Sequence, residues 1–437
     1  MNFDSLFKLA LEKGIESIQV SLERSTSLDL EVFKGELEKH QMSDTSLLKI
    51  QGIYKGKMGK ITTEVIDLDE SEFWIDEIIK SASLIESSDE VFIYEGSKEY
   101  KEVKGLYQEE LDLYGVEKKI EMVYALEEKL KAIDNRVDIS EAFYSETRRQ
   151  VLIQNSKGLN LTKDVNSAML GAHVVARDEN DSRSSFEYVQ SNEINDFDLD
   201  KIAKDAVEKA TSLLGAKTHK SGNYEIILKN TASAALLQAY LSMFSAESVQ
   251  KGMSKLKDKL NESIASTQIT VLDNPFLEKS PKSGAFDDEG VSSKYKEVIS
   301  NGTLTTYLHN LKTAKKDDTE STGNGYRGSV MPTNFYIKEG TTTYQDAVST
   351  MKKGLIITDL AGTHSGTNSI SGDFSLQASG FYVEEGKVVK PVALITVAGN
   401  YLTLLNDVIE VCDDLKFNYS FIGSPSLKIK SLVVSGE

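Results

Sequence analysis

The amino-acid sequence predicts an α+β protein of two domains: an amino-terminal antiparallel sheet with helices, and a carboxyl-terminal, mostly β domain built around one long helix. Apolar and polar residues alternate in segments 17–22, 28–32 and 48–53, and this period of two is typical of antiparallel strands with one solvent-facing side. Apolar residues recur every three or four positions over residues 230–266, which predicts a helix with one buried stripe. A short polar segment, 215–222, separates the two patterns.

The first half is predicted to surround its strands with helices. The predicted elements are helices at residues 2–13, from Asp69 onward, 116–133 and 198–214, and a second β region from Ile139 to Gln190. The helix that begins at Asp69 carries the single tryptophan, Trp74, close to several isoleucines. Since these residues share one apolar side of the helix, we expect Trp74 in the core.

The domain boundary is placed in segment 215–222, GAKTHKSG, because small, polar and flexible residues are typical of linkers. Residues 1–214 then form an α+β domain, and residues 223–437 form a β-rich domain.

The second half is predicted to open with a strand, 224–228, followed by the long helix. Asn230 and Thr231 have side-chain oxygens that can cap its first turn, and no proline occurs before Pro275. Later predicted elements are a helix at 344–353, a strand at 354–360, a hairpin turning at 384–387, a helix at 401–415 and a strand at 427–434.

Composition excludes several classes of protein. The chain has 437 residues and a net charge of −18, with its lysines scattered among carboxylates. A nucleic-acid-binding protein must neutralise phosphates, so we expect no nucleic-acid partner. No secretion signal and no apolar run long enough for a membrane helix is seen, which predicts a cytoplasmic protein without a membrane partner. The single cysteine, Cys412, cannot form an internal disulfide or a multi-thiolate zinc site.

Five segments of the second half carry a resemblance to a known family. They are SAESVQKGMSKLK (245–257), SGAFDDEG (283–290), STGNGYRG (321–328), SGDFSLQASGFYVEEGKVVKPV (371–392) and ITVAGNY (395–401). In combination and in this order they resemble the TldD/PmbA family, and most closely its PmbA (TldE) branch. The first half is similar to the family only in its pattern of elements. The family has also been described as a modulator of DNA gyrase, which we do not interpret as DNA binding because the chain is acidic.

The resemblance implies a zinc metalloprotease in the TldD branch, with ligands in a HExxxH motif and a cysteine near the carboxyl terminus. At the two histidine positions this sequence has Ala246 and Lys251, and Glu247 stands at the position of the general base. A methyl group cannot coordinate zinc and an ammonium group opposes it, so no metal is expected in this chain and zinc is expected in a TldD-like partner. Glu247 and Lys251 are four residues apart, which instead favours an ion pair on a helix.

A glycine-rich polar stretch is the remaining candidate for function. Donor and acceptor groups are dense between His364 and Gln377, before and within a predicted strand. An extended peptide can be held at such a place by backbone pairing and short polar side chains. The candidate peptide-binding residues are His364, Ser365, Asn368, Ser371, Asp373 and Phe374. The alternative is an ordered loop that only connects two elements.

Three hypotheses follow. In the first, the chain is the non-catalytic subunit of a heterodimer with a TldD-like metalloprotease subunit, and the pair degrades or processes unfolded peptides. In the second, it is a self-sufficient metallopeptidase or hydrolase with a rearranged site built from His364, Asp287 and Asp288. Residues 287–289 are otherwise expected to form a solvated acidic turn. In the third, the isolated chain forms a homodimer or larger scaffold.

Overall fold

The computed structural model describes residues 2–86 and 91–437. The α-helices are α1 (Asp4–Glu12), α2 (Ser71–Ser83), α3 (Glu109–Leu113), α4 (Val116–Ile133), α5 (Leu199–Thr211), α6 (Asn230–Ala239), α7 (Ala246–Gln250), α8 (Leu311–Lys316), α9 (Tyr344–Ser349) and α10 (Tyr401–Asn406). The first-half strands are β1 (Ser17–Phe33), β2 (Glu36–Tyr54), β3 (Lys57–Thr63), β4 (Val137–Asn155), β5 (Asn160–Arg177) and β6 (Ser182–Ser191).

The second half contains fourteen further strands among the described residues. They are β7 (Gly222–Leu228), β8 (Val271–Asp273), β9 (Lys296–Ser300), β10 (Thr303–Leu304), β11 (Gly325–Tyr326), β12 (Ser329–Val330), β13 (Phe335–Ile337), β14 (Lys353–Ala361), β15 (Asp373–Glu384), β16 (Lys387–Asn400), β17 (Val408–Val411), β18 (Lys416–Phe417), β19 (Ile422–Ser424) and β20 (Leu427–Ser435).

The amino-terminal strands form one antiparallel sheet in the order β3-β2-β1-β4-β5-β6. Helices α4 and α5 cover one part of it and bury Leu28, Leu30 and Val32 of β1, whereas α1 and α2 bury a second cluster near the other end of the same strands. Each long strand therefore spans two hydrophobic clusters. The predicted antiparallel sheet and its helices are confirmed, and Trp74 is 2% exposed, as expected for a core residue.

The carboxyl-terminal sheet closes into a barrel. Its order is β16-β15-β14-β7-β20-β17, and an additional pairing of β16 with β20 joins the two ends of a five-strand ring. A second sheet, β10-β9-β8-β13-β19-β18, packs beside the barrel, and α6 contacts both sheets through β14 and β19. The predicted α+β class with a β-rich second half is therefore confirmed. The turn between β15 and β16 falls at Glu385 and Gly386, as predicted.

The prediction of one continuous helix over residues 230–266 is wrong. Helix α6 ends at Ala239, a short 3-10 turn covers Leu241–Phe244, and α7 ends at Gln250. Ser245 has an extended backbone and forms a β-bridge with Leu308. The apolar periodicity survives because Tyr240, Met243, Phe244 and Leu256 are buried, but tertiary pairing, rather than helix continuity, positions them.

The helix predicted at residues 401–415 is also wrong beyond its first turns. Helix α10 ends at Asn406, and residues 408–411 form strand β17, which pairs with β20. Val408 and Val411 are buried in the barrel core. A short amphipathic segment fits either element, and the free edge of β20 decides in favour of a strand.

The two halves of the chain are in contact. Phe286 packs against Ile153 of β4 and Leu159 of the β4–β5 turn, and the Tyr100 hydroxyl donates a hydrogen bond to the Gly290 carbonyl oxygen at 2.8 Å. Segment 283–290 therefore docks onto the amino-terminal sheet. The division into domains at 215–222 remains a prediction.

Asp287 corrects the expected solvated turn at residues 287–289. Its side chain is 1% exposed and accepts hydrogen bonds from the backbone N–H groups of Glu289, Val291 and Gly325 at 2.8–3.0 Å. Burial, followed by the charge of Glu289, raises the Asp287 pKa to about 7. The carboxyl group thus organises a buried loop at the junction between the halves.

Among the described residues, no helix combines the length and the apolar composition required to cross a membrane.

Candidate functional site

The positions of the two motif histidines do not suit a metal ion. Ala246 is fully buried in the main hydrophobic core, and its N–H donates to the Leu308 carbonyl oxygen at 2.9 Å. The Lys251 ammonium lies 2.6 Å from the Glu247 carboxylate, an ion pair between side chains that are both exposed. The predicted pairing of these two residues is confirmed. Since neither a methyl group nor a paired ammonium is a zinc ligand, these residues do not fit the metal of the family.

Cys412 does not supply the missing ligand. It is fully buried, and burial, with the charges of Asp414 and Glu410 beside it, raises its pKa to about 12. Metal coordination requires the thiolate, so the neutral thiol is a small core side chain.

The structure does not group the three residues of the rearranged metal site. Across residues 2–86 and 91–437, no three His, Cys, Asp or Glu side chains are grouped closely enough to hold a metal ion. His364 therefore does not join Asp287 and Asp288. His364 is exposed on a loop, whereas Asp287 is buried among backbone N–H groups.

A cleft of about 630 Å³ lies between the two halves of the chain. Strand β6 and helix α5 of the first half face helix α6, the 363–369 loop and segment 416–419 of the second half. The lining residues are Phe186, Glu187, Tyr188, Lys209, Thr231, Ala234, Ala235, Gln238, Ala239, Thr363, His364, Thr367, Ser369, Lys416, Phe417, Asn418 and Tyr419. The cleft is thus built from segments up to 233 residues apart in the sequence, from Phe186 to Tyr419.

Small and aromatic side chains give the cleft its apolar surface. Alanines 234, 235 and 239 lie on one side of α6 and keep that wall thin. Aromatic rings stand around them: Phe186 is 42% exposed and Tyr419 is 61% exposed, and the Phe186 ring lies 5.4 Å from the rings of both Phe143 and Tyr188. Exposed aromatic rings beside a thin wall are suited to apolar side chains of a ligand.

Two ion pairs join residues that line the cleft to the other half of the chain. Lys416 Nζ lies 2.5 Å from Glu187 Oε1, and Lys209 Nζ lies 3.7 Å from Asp359 Oδ1. Each pair joins a residue of the first half to one of the second half. Burial, with the neighbouring Glu187 charge, raises the pKa of Tyr188 to about 12, so this phenol stays protonated near neutral pH and can donate a hydrogen bond.

Two amide side chains are held in place on the second-half wall. Asn418 Nδ2 donates to Gln238 Oε1 at 2.6 Å, and Gln238 Nε2 donates to the Ser420 hydroxyl at 3.4 Å. The Asn418 carbonyl oxygen of the side chain accepts the N–H groups of Ser420 and Ile422. These contacts position polar groups beside the alanine wall.

The polar loop predicted as a functional candidate lies at the mouth of this cleft. His364, Thr367 and Ser369 line it, and a shallow open depression on the other side of the loop is lined by Ser365, Asn368, Ile370, Asp373, Phe374 and other members of segment 365–375. Thr367 and Ser369 contribute to both. The loop therefore lines both the cleft and the depression.

Several of the predicted loop residues hold the loop itself in shape. The Asn368 side-chain oxygen accepts the N–H groups of Ile370 and Ser371 at 3.0 Å, and Asn400 Nδ2 donates to Asp373 Oδ1 and to the Ser371 carbonyl oxygen, each at 2.9 Å. The hydrogen bond from Asn400 is the main reason that the pKa of Asp373 is lowered. His364, Ser365, Asn368 and Asp373 are exposed, whereas Ser371 is half-buried.

Phe374 contributes mainly to the core. Its side chain is 5% exposed and belongs to the barrel cluster. Gly372 precedes this strand with a φ of +83°, and a side chain there would approach the Asn400 amide at 3.0 Å. The loop can therefore turn into β15 only with glycine at this position.

Sequence reasoning missed most of the cleft. Glu187, Gln238 and Lys416 come from separate elements, each of which resembles an ordinary amphipathic strand or helix. The only local signal is the cluster of aromatic residues at 186 and 188 and at 417 and 419. Strands that face solvent usually carry fewer large aromatic side chains than these segments do.

Comparisons with known proteins match the whole chain. A sequence model described as the PmbA/TldA metallopeptidase C-terminal domain matches residues 221–436, and the central-domain model of the same family matches residues 109–214. The metalloprotease PmbA homolog of Buchnera aphidicola subsp. Acyrthosiphon pisum is 25% identical over 98% of this chain and 95% of its own length.

Two solved structures share the fold. A protein described as a candidate modulator of a DNA gyrase from Thermotoga maritima has a TM-score of 0.93 and 34% identity, covering 99% of both chains. TldE from Thermococcus kodakarensis has a TM-score of 0.87 and 26% identity, covering 99% of this chain and 100% of its own.

The fold and these matches define a protein of the metallopeptidase-like class to which the two domain models belong. The chain is a member of the PmbA/TldD family, and its similarity to PmbA homologues and to TldE agrees with the PmbA (TldE) branch. The family resemblance found in the sequence is thereby confirmed.

Proposed function

We propose that this chain is the non-catalytic, peptide-binding subunit of a heterodimeric zinc metalloprotease that degrades or processes unfolded peptides. In this proposal a TldD-like subunit supplies the zinc ion and the general base, and this chain supplies a surface that holds the peptide. The proposed setting is the cytoplasm, since a chain with one buried cysteine uses no disulfides of its own.

The observation that carries the proposal is the chemistry at the motif positions. Ala246 belongs to the hydrophobic core, and Glu247 and Lys251 neutralise each other at 2.6 Å. Hydrolysis by zinc needs about three ligands, an open position for water and a free carboxylate. A family member that keeps the scaffold but lacks these groups depends on another chain for the reaction.

The cleft between the two halves of the chain supports a role in holding peptides. Strand β6 lies at the end of its sheet and is paired only with β5 among the described strands, and its residues Phe186, Glu187 and Tyr188 line the cleft. An extended peptide can add to such an edge through backbone hydrogen bonds, which do not depend on sequence. The aromatic rings and the alanine wall then accept apolar side chains.

The first experiment measures zinc and peptidase activity for the chain alone and after mixing with a TldD-like subunit that contains HExxxH. We expect less than about 0.1 zinc per chain, no peptide cleavage by the chain alone, and cleavage after mixing. Chelator should abolish the activity of the mixture. Peptide cleavage by the purified chain alone, resistant to chelator, would contradict the proposal.

A second experiment tests the cleft. Ala235→Trp fills the cleft from α6, where Ala235 is partly exposed and lines the wall, and we expect binding of a fluorescent unfolded peptide to weaken at least about tenfold because the ring occupies the space for its side chains. Ala361→Trp, at an exposed alanine outside the cleft lining, is the matched control. Equal peptide binding by both variants, with native circular dichroism, would place the peptide elsewhere.

A further inference from the structure

Segment 38–46 of β2 has two largely exposed faces and one edge that is unpaired among the described strands. All eight residues from Glu38 to Thr45 are exposed, on both faces of the strand. The next strand in the sheet, β3, pairs only with residues 48–54 of β2, so the edge of segment 38–46 has no partner strand within the described chain. Such an edge presents a row of backbone N–H and C=O groups ready to pair with another strand.

The opposite edge of the same segment is fully paired. Leu28 and Leu30 of β1 face Met42 and His40 of β2 in register, and both leucines are buried beneath the helices. Met42 is 67% exposed although it lies beside a core residue on the same face. The hydrophobic face of the sheet therefore continues past its helical cover and stops at an open edge.

We propose that segment 38–46 of β2 is a docking surface for a second copy of this chain, so that two copies join edge to edge into one continuous antiparallel sheet. This surface is separate from the cleft and from the proposed function. Pairing two identical strands in this way requires a two-fold axis perpendicular to the sheet, because only that axis reverses the strand direction and keeps each face on its own side.

The axis restricts the register, because residues that face each other must lie on the same face of the sheet. Side chains of even-numbered residues share the face of Met42, whereas Lys39, Gln41 and Ser43 point to the other face, as the pairing with β1 shows. Each register is therefore centred on one residue, which meets its own copy at the axis.

Charge selects the register centred on Met42. In it, His40 of each copy faces Asp44 of the other, Gln41 faces Ser43, and the exposed Met42 side chains contact each other. This arrangement places no like charges opposite each other and contains two complementary His–Asp pairs, which stabilise cross-strand contacts. The surface is thus complementary to itself.

The two neighbouring registers have poorer charge complementarity across the strand pair. A register centred on Gln41 sets Glu38 opposite Asp44, two like charges that destabilise a strand pair. A register centred on Ser43 sets the carboxylate of Asp44 against the apolar Met42 side chain and leaves His40 without an acidic partner.

Cysteine substitution reads this register directly. Residues that face each other across antiparallel strands have Cα atoms about 4.5–5.5 Å apart, which lies within the range for a disulfide. The single native cysteine is buried, so it does not interfere. We expect Met42→Cys to form a covalent dimer under mild oxidation, and Gln41→Cys and Ser43→Cys, whose copies do not meet, to stay monomeric on non-reducing gels. Cross-linking at position 41 or 43 instead of 42 would overturn the proposal.

Charge reversal tests the pairs without a new covalent bond. The side chains of His40, Met42 and Asp44 form no hydrogen bond or ion pair within the part of the chain that the structure describes and are exposed, so side-chain changes there should leave the fold intact. We expect the wild-type chain to be a dimer by light scattering, and His40→Asp or Met42→Glu to raise the dimer dissociation constant at least about tenfold, because each change sets like charges opposite each other across the strand pair. The double variant His40→Asp/Asp44→Lys restores opposite charges and should restore the dimer.

Met253→Glu is the matched control, because Met253 is also an exposed methionine, 42% exposed, in the carboxyl-terminal half. It should leave the dimer unchanged. A wild-type chain that is monomeric at about 100 μM, or a dimer that Met42→Glu does not weaken, would refute the proposal. The zinc content and the reconstituted peptidase activity are measured separately, so failure here does not touch the proposed function.

Discussion

Replacement of Glu247 by alanine separates a structural role from a catalytic one. Glu247 stands at the position of the general base in the family motif, yet its carboxylate is 2.6 Å from the Lys251 ammonium. If the pair is structural, Glu247→Ala and Lys251→Ala have nearly the same effect, since each removes the same contact. We expect a small loss of stability from both and no loss of activity in the reconstituted heterodimer.

The size of the stability effect follows from the exposure of the two side chains. At 2.6 Å in water the Coulomb attraction between unit charges is about 1.6 kcal/mol. The Glu247 and Lys251 side chains are 40% and 56% exposed, so solvent screens the attraction and ordering two long side chains opposes it. The net contribution of such an acid-first pair four residues apart is about 0.2–0.5 kcal/mol.

The assay has two parts. Urea denaturation of the wild type, the two single variants and the double variant gives the interaction energy of the pair by a double-mutant cycle. Cleavage of an unfolded peptide by each variant, mixed with a TldD-like subunit, gives the effect on activity. We expect an interaction energy of at most about 0.5 kcal/mol and rates within about twofold of the wild type.

A catalytic role for Glu247 would change the cleavage rate far more than the loss of an ion pair. Removal of a general base costs about 10²–10⁴-fold in rate, far more than an exposed ion pair can account for. If Glu247→Ala reduces the rate by that much while Lys251→Ala does not, Glu247 takes part in the reaction and the assignment of a non-catalytic role is refuted.

Further predictions concern the buried polar groups and the cleft. Lys296 and Asp273 form a salt bridge of 3.0 Å with side chains 8% and 0% exposed. Lys296→Met leaves the Asp273 charge buried without its partner and should lower the free energy of unfolding, measured by denaturation, by about 3–5 kcal/mol. Lys294→Met, which removes the exposed pair with Glu320, is the control and should cost less than about 1 kcal/mol. Asp287 keeps its proton up to about pH 7 in the folded state, whereas the unfolded chain releases it near its usual pKa of 3.8. Folding therefore becomes less favourable as the pH rises from about 4 to about 7, and Asp287→Asn should remove this part of the pH dependence; an unchanged slope would show that Asp287 is ionised in the folded protein. Filling the cleft by Ala235→Trp should raise the KM of the reconstituted peptidase for a peptide without changing its zinc content, and an unchanged KM would argue against the cleft as the binding surface.

Much of the amino-terminal half could be predicted because the apolar pattern of each element shows which of its faces is buried. Alternation of apolar residues in β1 and the spacing of apolar residues in α4 reflect a single covered face, and both elements occur as expected. The same logic failed at residues 240–270, where apolar residues are also buried at helical spacing. There Ser245 pairs with Leu308, 63 residues away, and a pairing of that kind leaves no trace in local periodicity.

The candidate site was predicted in part for the same reason. The loop around His364 is visible in the sequence because glycine and short polar residues cluster locally. The opposite wall of the cleft, with Glu187 on β6 and Lys209 on α5, is not visible, because an ion pair between Glu187 and Lys416 spans 229 residues of chain. Only the docking of the two halves brings these groups together.

By itself, the sequence determined that positions 246 and 251 carry a methyl group and an ammonium group, since side-chain chemistry does not depend on the fold. It also determined the family and the class of fold. The tertiary structure decided which residues meet: that Ala246 lies in the core, that an aromatic cleft forms between the halves, and that one edge of segment 38–46 of β2 has no neighbouring strand among the described residues. The physical reason is that coordination chemistry belongs to individual side chains, whereas clefts and open edges arise from how distant elements cover, or fail to cover, one another.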